Sequence, residues 1–195
     1  MESMAQCTRC GLAEIRTQVV IGRGSETARV MFTGEAPGKE EDRTGMGFQG
    51  SAGKIFEDVL SYLGLTRGEI WLNNVVRCRP TDTGKKNRPP RGEELDACRP
   101  WMLEDIGRVR PAIIVTLGRM AFESLTGETD FQGCRGRLYK ASDPSIPEIF
   151  PLAHPAYLIY RRSSMPQYRE DLDRLHQALA ARGVVSNPVV PKRFL

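Results

Sequence analysis

Four cysteines occupy settings that suit metal chemistry. Cys7 and Cys10 have two residues between them in "CTRCGLA", and Cys78 and Cys98 open the same Cys-Arg-Pro tripeptide at the two ends of "CRPTDTGKKNRPPRGEELDACRP". In a reducing compartment, Cys-x-x-Cys spacing is more often metal-binding than part of a disulfide framework. Four thiolates suit zinc or an iron–sulfur cluster, and spacing does not separate the two. Cys98, on an apolar helical face, also fits a small buried hydrophobe. Cys134 in "FQGCRG" stands outside the set and reads as a free thiol, buried or partly so.

A second group of residues suits acid–base and hydrogen-bond chemistry at strand ends. His154 in "HPA" closes an apolar run, and the other histidine, His176, falls on a helical pattern and reads as structural. Asn73 and Asn74 are neighbours on a strand, so they point to opposite sides, and either also fits a turn. In "GEAPGKEED", Gly34, Pro37 and Gly38 shape a tight turn that carries Glu35 and Glu41, carboxylates able to orient water or face a positive charge. Exposed loop acids without such a role are equally common. Phe48, between glycines in "GFQG", reads as a loop wall rather than as core.

The elements that must position these groups alternate along the chain. "ARVMFTGEAPG", "EIWLNNVVRCRP", "PAIIVTLGR" and "EIFPLAHPA" read as short buried strands that end in polar loops. Helical faces lie between and after them. Ile55, Phe56, Val59, Leu60 and Leu63 end near Gly64; Leu95, Cys98, Met102, Ile106 and Val109 form another face, which Pro100 must start or kink. "GRMAFESLTG" is a short third helix, and Tyr168, Leu172, Leu175 and Leu179 mark a fourth. The pattern predicts one α/β domain over residues 1–195, a three-layer α/β/α sandwich with a short, mainly parallel central sheet. Ligands in such sheets bind beyond the carboxyl ends of the strands, where "GEAPG", "NNVVRCRP" and "HPA" all fall. The tail "VVSNPVVPKRFL" carries no assignable pattern.

Composition narrows the partner. Lys and Arg exceed Asp and Glu by 28 to 24, a net charge of +4 that permits a polyanionic partner without requiring one. The basic residues gather in "RCRPTDTGKKNRPPR", "CRGRLYK" and "YRRSSMPQYR", loop-like stretches that suit either plain solvation or a nucleic acid. No apolar run is long enough to span a bilayer, and "MESMAQC" lacks the apolar core of a secretory signal. The expectation is a soluble, cytoplasmic protein.

Taken in order, "GEAPGKEED", "GFQGSAGKIF", "NNVVRCRP", "ACRPWM" and "HPAYL" resemble the family 4 uracil-DNA glycosylases over nearly the whole chain. The resemblance implies the sandwich fold, a [4Fe-4S] cluster on Cys7, Cys10, Cys78 and Cys98, and hydrolytic removal of uracil from DNA by a monomer. It places Glu35 at the attacking water, with the Ala36 backbone beside it and Glu41 in support. Phe48 stacks on the flipped base, Asn74 reads its N3–H and O4, and His154 donates to O2. Pinned at both ends by a cluster, the loop from Cys78 to Cys98 would present Arg88 and Arg91 to phosphates. In "HPAYLIYRR", Leu158 would be an apolar wedge and Arg161 and Arg162 phosphate contacts, although a loop packed on the core explains the same letters. The chain departs from the family at Gly-Phe-Gln-Gly, where Pro-Phe-Val-Gly is usual, and at Ser51, where Arg is frequent. No histidine lies between Cys78 and Cys98, so water rather than a covalent trap is expected to release the product. The competing reading is a non-catalytic cluster protein of the same fold that only holds DNA.

Overall fold

The four apolar runs become the parallel strands of one sheet in the computed structural model, which describes residues 3–186; most of the unassigned tail lies outside the described residues. In chain order the elements are β1 (Arg23–Gly24), β2 (Val30–Gly34), α1 (Lys39–Thr44), α2 (Ser51–Leu63), β3 (Trp71–Asn74), α3 (Gly92–Val109), β4 (Ile113–Leu117), α4 (Arg119–Thr126), α5 (Phe131–Cys134), β5 (Glu148–Leu152), α6 (Pro155–Tyr160) and α7 (Met165–Ala180). The strands lie in the order β1-β3-β2-β4-β5. All neighbours are parallel except β1, an antiparallel edge of two residues, too short to leave a periodic signal in the sequence.

Helices cover both faces, so the strands are apolar on both. Val30 and Phe32 of β2 face α2, α6 and α7, while Met31 between them faces α3, α4 and α5. The alternation repeats in β4, with Ile113 and Val115 on one side and Ile114 on the other. The expected three layers and mainly parallel sheet are those observed. The chain leaves β2 toward β3 on one side and leaves β4 toward β5 on the other. This reversal opens a crevice at the carboxyl ends of the strands.

Each of the four expected helices is present. Gly64 terminates α2 with φ of 73°, a left-handed conformation that glycine adopts without a Cβ clash. Pro100 does not start its helix: α3 begins at Gly92 and carries Pro100 inside, on its exposed side, where water can satisfy the carbonyl that loses its donor. The stretch after His154, expected as a loop, is helix α6. His154 caps it and Pro155 occupies its first position, where the missing N–H costs nothing. Among the described residues, no helix is long and apolar enough to cross a membrane.

Candidate active site and cysteine cavity

Beyond the carboxyl ends of β2, β3 and β5 lies a cleft of about 480 Å³, lined by Ala36, Glu41, Phe48, Ser51, Asn74, Asn87 and His154 among others. Residues far apart in sequence meet here because parallel strands point their ends the same way.

His154 is half-buried, and its ring orientation is fixed by its own helix. Nδ1 accepts the Ala156 backbone N–H at 3.1 Å, so the proton of the neutral ring belongs on Nε2. Burial pushes the imidazole pKa down to about 4, against the opposing pull of Glu41. At neutral pH the ring is therefore an uncharged donor. Its face lies nearly parallel to Phe48, with centroids 5.7 Å apart and planes 24° from each other.

Phe48, expected as a loop wall rather than as core, is both: it lines the cleft but is only 7% exposed and packs into the core with Phe56, in an unusual conformation. Its φ of 56° lies in the left-handed region, which costs a non-glycine residue on the order of 1–3 kcal/mol and persists only where the surroundings impose it. Those surroundings are identifiable. Arg67 donates to the carbonyls of Gly47 and Phe48, both at 2.8 Å, and Phe56 packs against the Phe48 ring at 4.8 Å. Gly53 admits the loop, since a Cβ there would stand 2.0 Å from the Phe48 carbonyl oxygen.

Asn74 is buried beside that ring at the end of β3. A Cβ on Gly34 would lie 2.4 Å from Asn74 Oδ1 and 3.0 Å from Phe48 Cζ, so only glycine lets the amide and the ring converge. Asn73 faces the other way. It accepts from Thr33 Oγ1 at 2.9 Å and donates to Asp105 Oδ2 at 2.9 Å, which commits it to the scaffold.

The two carboxylates do different work. Glu41 Oε1 accepts the N–H groups of Gln49 at 2.7 Å and Gly50 at 3.0 Å, while Oε2 accepts that of Gly38 at 3.0 Å. It thereby ties the turn after β2 to the Phe48 loop. Glu35 is half-buried beyond β2 and is not among the residues lining the cleft. Burial raises its pKa, partly offset by the nearby Arg119.

Asn87 was missed in the sequence. Its Oδ1 accepts from Arg79 Nε at 2.7 Å, and the buried Arg79 also donates to Gly84 O at 3.0 Å. With Oδ1 engaged, Nδ2 is left to face the cleft across from Gly38, where a Cβ would lie 3.4 Å away. The Arg-Pro after Cys78 and the Lys-Lys-Asn in the loop hinted at this latch only through composition.

The residues expected at DNA divide. Arg161 and Arg162 are exposed at the end of α6. Arg91 is also exposed, though paired with Asp82 at 3.0 Å. Arg88 is spoken for: it grips Glu94 with two N–H groups at 2.8 and 2.6 Å and Asp82 with a third at 2.8 Å. Glu94 in turn accepts the Arg91 N–H at the start of α3, so Arg88 secures a helix end. Leu158 is not an exposed wedge in this structure. It is 2% exposed in the core shared with α2 and α7, because it falls on the inner face of α6, whereas Tyr160 at 84% is the most exposed apolar side chain nearby.

Cys7, Cys10, Cys78 and Cys98 line one narrow cavity with Arg16, Arg77 and Trp101. None forms a disulfide. Arg16 Nη1 lies 3.5 Å from Cys78 Sγ, and Trp101 Nε1 lies 3.3 Å from Cys7 Sγ. Burial pushes the Cys78 thiol up to about 11 and raises Cys98 and Cys10 as well. Among the described residues, no three His, Cys, Asp or Glu side chains close on one point as a single metal ion would require. Cys134, half-buried at the end of α5, is not part of this cavity.

Comparison with known proteins agrees with this geometry. The family model of the uracil DNA glycosylase superfamily matches residues 21–179. A type-4 uracil-DNA glycosylase of Sulfurisphaera tokodaii is 35% identical over 99% of this chain and 85% of its own length. The type-4 enzyme of Archaeoglobus fulgidus is 31% identical over 90% of this chain and 89% of its own, and that of Thermotoga maritima 36% over 84% and 83%. The matched span runs from the strand edge before β2 into the last helix and takes in the whole cleft. The chain belongs to the uracil-DNA glycosylase superfamily, among its type-4 members.

Proposed function

We propose that the cleft hydrolyses the N-glycosidic bond of uracil in DNA inside the cell and leaves an abasic site. The observation that carries this reading is the convergence of an amide, an aromatic face and a neutral imidazole donor, Asn74, Phe48 and His154, on one cleft. A uracil flipped out of the duplex needs all three. Its face stacks on Phe48. Asn74 offers its carboxamide oxygen to N3–H and its NH₂ to O4, a pattern that cytosine reverses. Negative charge then grows on O2 as the bond breaks, and the Nε2–H of His154 donates to it.

Positive charge develops on the sugar at the same time. Glu35 is assigned to orient water toward the sugar because it stands at the end of β2 next to Ala36, which lines the cleft, and burial raises its pKa. Glu41 keeps the two cleft loops in register rather than meeting the substrate. The amino end of α2 borders the cleft at Ser51 and Ala52, whose N–H groups, in the first turn of the helix, suit a flanking phosphate. Asn87 Nδ2 is a further donor for the sugar–phosphate on the opposite rim.

Cys7, Cys10, Cys78 and Cys98 hold a [4Fe-4S] cluster on this reading. The donor set fits: four free sulfurs around a cavity, with N–H donors from Arg16 and Trp101 already at two of them. When bound, the cluster supplies a rigid crosslink between the amino-terminal segment, the end of β3 and α3. Cys134→Ser is expected to leave iron and sulfide content unchanged. A loss of either would bring Cys134 into the ligand set.

DNA contact is assigned to Arg161 and Arg162, with the exposed Arg91 beside the second loop. Each alanine variant at Arg161 and Arg162 is expected to reduce the slope of log affinity against log salt by about one unit. Arg88→Ala is expected to lower thermal stability with little change in slope, because its guanidinium holds Glu94 and Asp82. The reverse pattern would return Arg88 to the interface and remove α6 from it.

The function itself is tested with an oligonucleotide bearing a single uracil, cleaved by alkali wherever the base has been lost. Strand breaks at uracil and none at cytosine are expected. Folded, iron-loaded protein that binds the oligonucleotide but leaves it intact would instead establish a non-catalytic binding protein.

A further inference from the structure

Arg77 presents an unsolved problem in the protein's hydrogen bonding. It is the bulkiest fully buried side chain, at 1% exposure, and it stands between Asn74 and Cys78 on the chain. Its Nη2 donates to Asp105 Oδ2 at 2.8 Å, but Nε and Nη1 are buried with no partner among the described residues. Leaving a buried donor unpaired costs about 1–3 kcal/mol, more on a charged group. Two such donors on one guanidinium call for an acceptor.

Neutralising Asp105 accounts for only one of the three guanidinium nitrogens. Asp105 Oδ2 also accepts from Trp71 Nε1 at 3.1 Å and Asn73 Nδ2 at 2.9 Å, and Oδ1 pairs with Arg108 at 2.8 Å. Against burial, the Arg77 charge is the strongest influence holding the Asp105 carboxyl below its usual range, yet that pairing uses only Nη2 and leaves Nε and Nη1 unaccounted for. A side chain needed only for packing would be satisfied by methionine or leucine, which bring no orphaned N–H. What Arg77 does share is the cysteine cavity, which it lines together with all four thiols. Its backbone already hydrogen-bonds the Cys98 sulfur.

On the reading that the four cysteines hold a cluster, we infer that Arg77 donates Nε–H and Nη1–H to sulfur of that cluster and joins it through Asp105 to Asn73. Sulfur ligands and sulfides carry negative charge and accept N–H donors, and such donors tune the centre they surround. Arg77 is thus a positioning residue. One end of its guanidinium meets the cavity. The other is fixed to Asp105, whose partner Asn73 lies on β3 immediately before the uracil-reading Asn74.

The test uses anaerobically purified full-length protein, wild type beside Arg77→Gln and the double variant Arg77→Met/Asp105→Asn. The double variant removes both charges together, and Arg108, which is 41% exposed, can swing away from the new amide. Iron and sulfide are quantified, Fe–S stretching bands recorded by resonance Raman, and iron release to a chelator timed. Variants that load a cluster are expected to shift the Fe–S bands to higher frequency, because a sulfur relieved of a hydrogen bond binds iron more strongly. They should also release iron about tenfold faster, the usual scale for losing a partner that orients a metal's ligands. Wild-type protein without iron and sulfide would overturn the cluster reading itself. A loaded wild type with variants unchanged in bands and release rate would overturn the role of Arg77 alone. Failure of both variants to fold would assign Arg77 to the apo scaffold and overturn it as well.

Discussion

His154→Ala is expected to slow uracil excision under single-turnover conditions by on the order of a hundredfold or more, with much less change in affinity for uracil-containing DNA. The asymmetry follows from where the donor acts. Charge on O2 is small in the bound base and large as the glycosidic bond breaks, so the Nε2–H strengthens on the way to the transition state. The same geometry sets the pH response. With its pKa lowered to about 4 by burial, the ring is neutral throughout the ordinary working range. The step it assists is expected to be insensitive to its titration from about pH 6 upward, since an unperturbed histidine would change charge near 6.5. Acidification toward 4 protonates Nδ1 and breaks the cap to Ala156. The sign for stability agrees. An unfolded imidazole takes up its proton near 6.5 and the folded one does not, so this group's contribution to stability falls as pH drops from there toward 4. Single-turnover kinetics from pH 4.5 to 8, beside equilibrium binding, measures both effects. An alanine variant that weakens binding as much as rate would mean that His154 holds the substrate rather than the departing charge.

Gly34→Ala is the second large effect, expected at about a hundredfold in kcat/KM through misplacement of the base. One methyl group would have to occupy space 2.4 Å from Asn74 Oδ1 and 3.0 Å from the Phe48 ring. Neither neighbour can yield freely, because Phe48 is clamped by Arg67 and Asn74 ends a buried strand. Both the edge-reading amide and the stacking face should move. Gly92→Ala is the control, since a Cβ there meets nothing within 4 Å and the position is the first of α3. Full activity in Gly34→Ala, with the control also active, would show that the uracil pocket lies elsewhere.

Much of the site was legible because its residues are of rare types in ordered settings. The strand ends implied that His154 and Asn74 would face one crevice, and both line the cleft; Glu41 and Phe48, which join them there, came from the loop motifs that carry the resemblance. Proximity of the four cysteines was legible too, although nothing in their spacing could have shown the cavity between them. What escaped the sequence depended on third parties. Asn73 and Asn74 are equivalent as letters, and only Thr33 and Asp105, distant in sequence, commit Asn73 to the scaffold. Arg88 looked like a phosphate contact because its partner Glu94 lies six residues away, beyond two prolines and a helix start. Leu158 depended on whether its segment was loop or helix, which Pro155 allows equally. Gly34 was legible as part of a tight turn but not as the gap that lets the Asn74 amide and the Phe48 ring converge, and nothing in the sequence marked Gly53. Arg79 and Asn87 form a latch that neither residue announces.

The order of strands in the sheet also fixes a schedule for biogenesis. β2 sits at the centre and must wait for β3 on one side and β4 on the other, and β5, which delivers His154, joins only at the far edge. Such distant pairings form slowly, because loop closure precedes the contacts that reward it. All four cavity cysteines have been synthesised by residue 98, ahead of β4, β5 and His154. On the reading that these cysteines hold a cluster, its ligand set is therefore complete in the growing chain before the cleft is. On the same reading, base excision waits for β5, the edge strand that leads into His154 at the cleft.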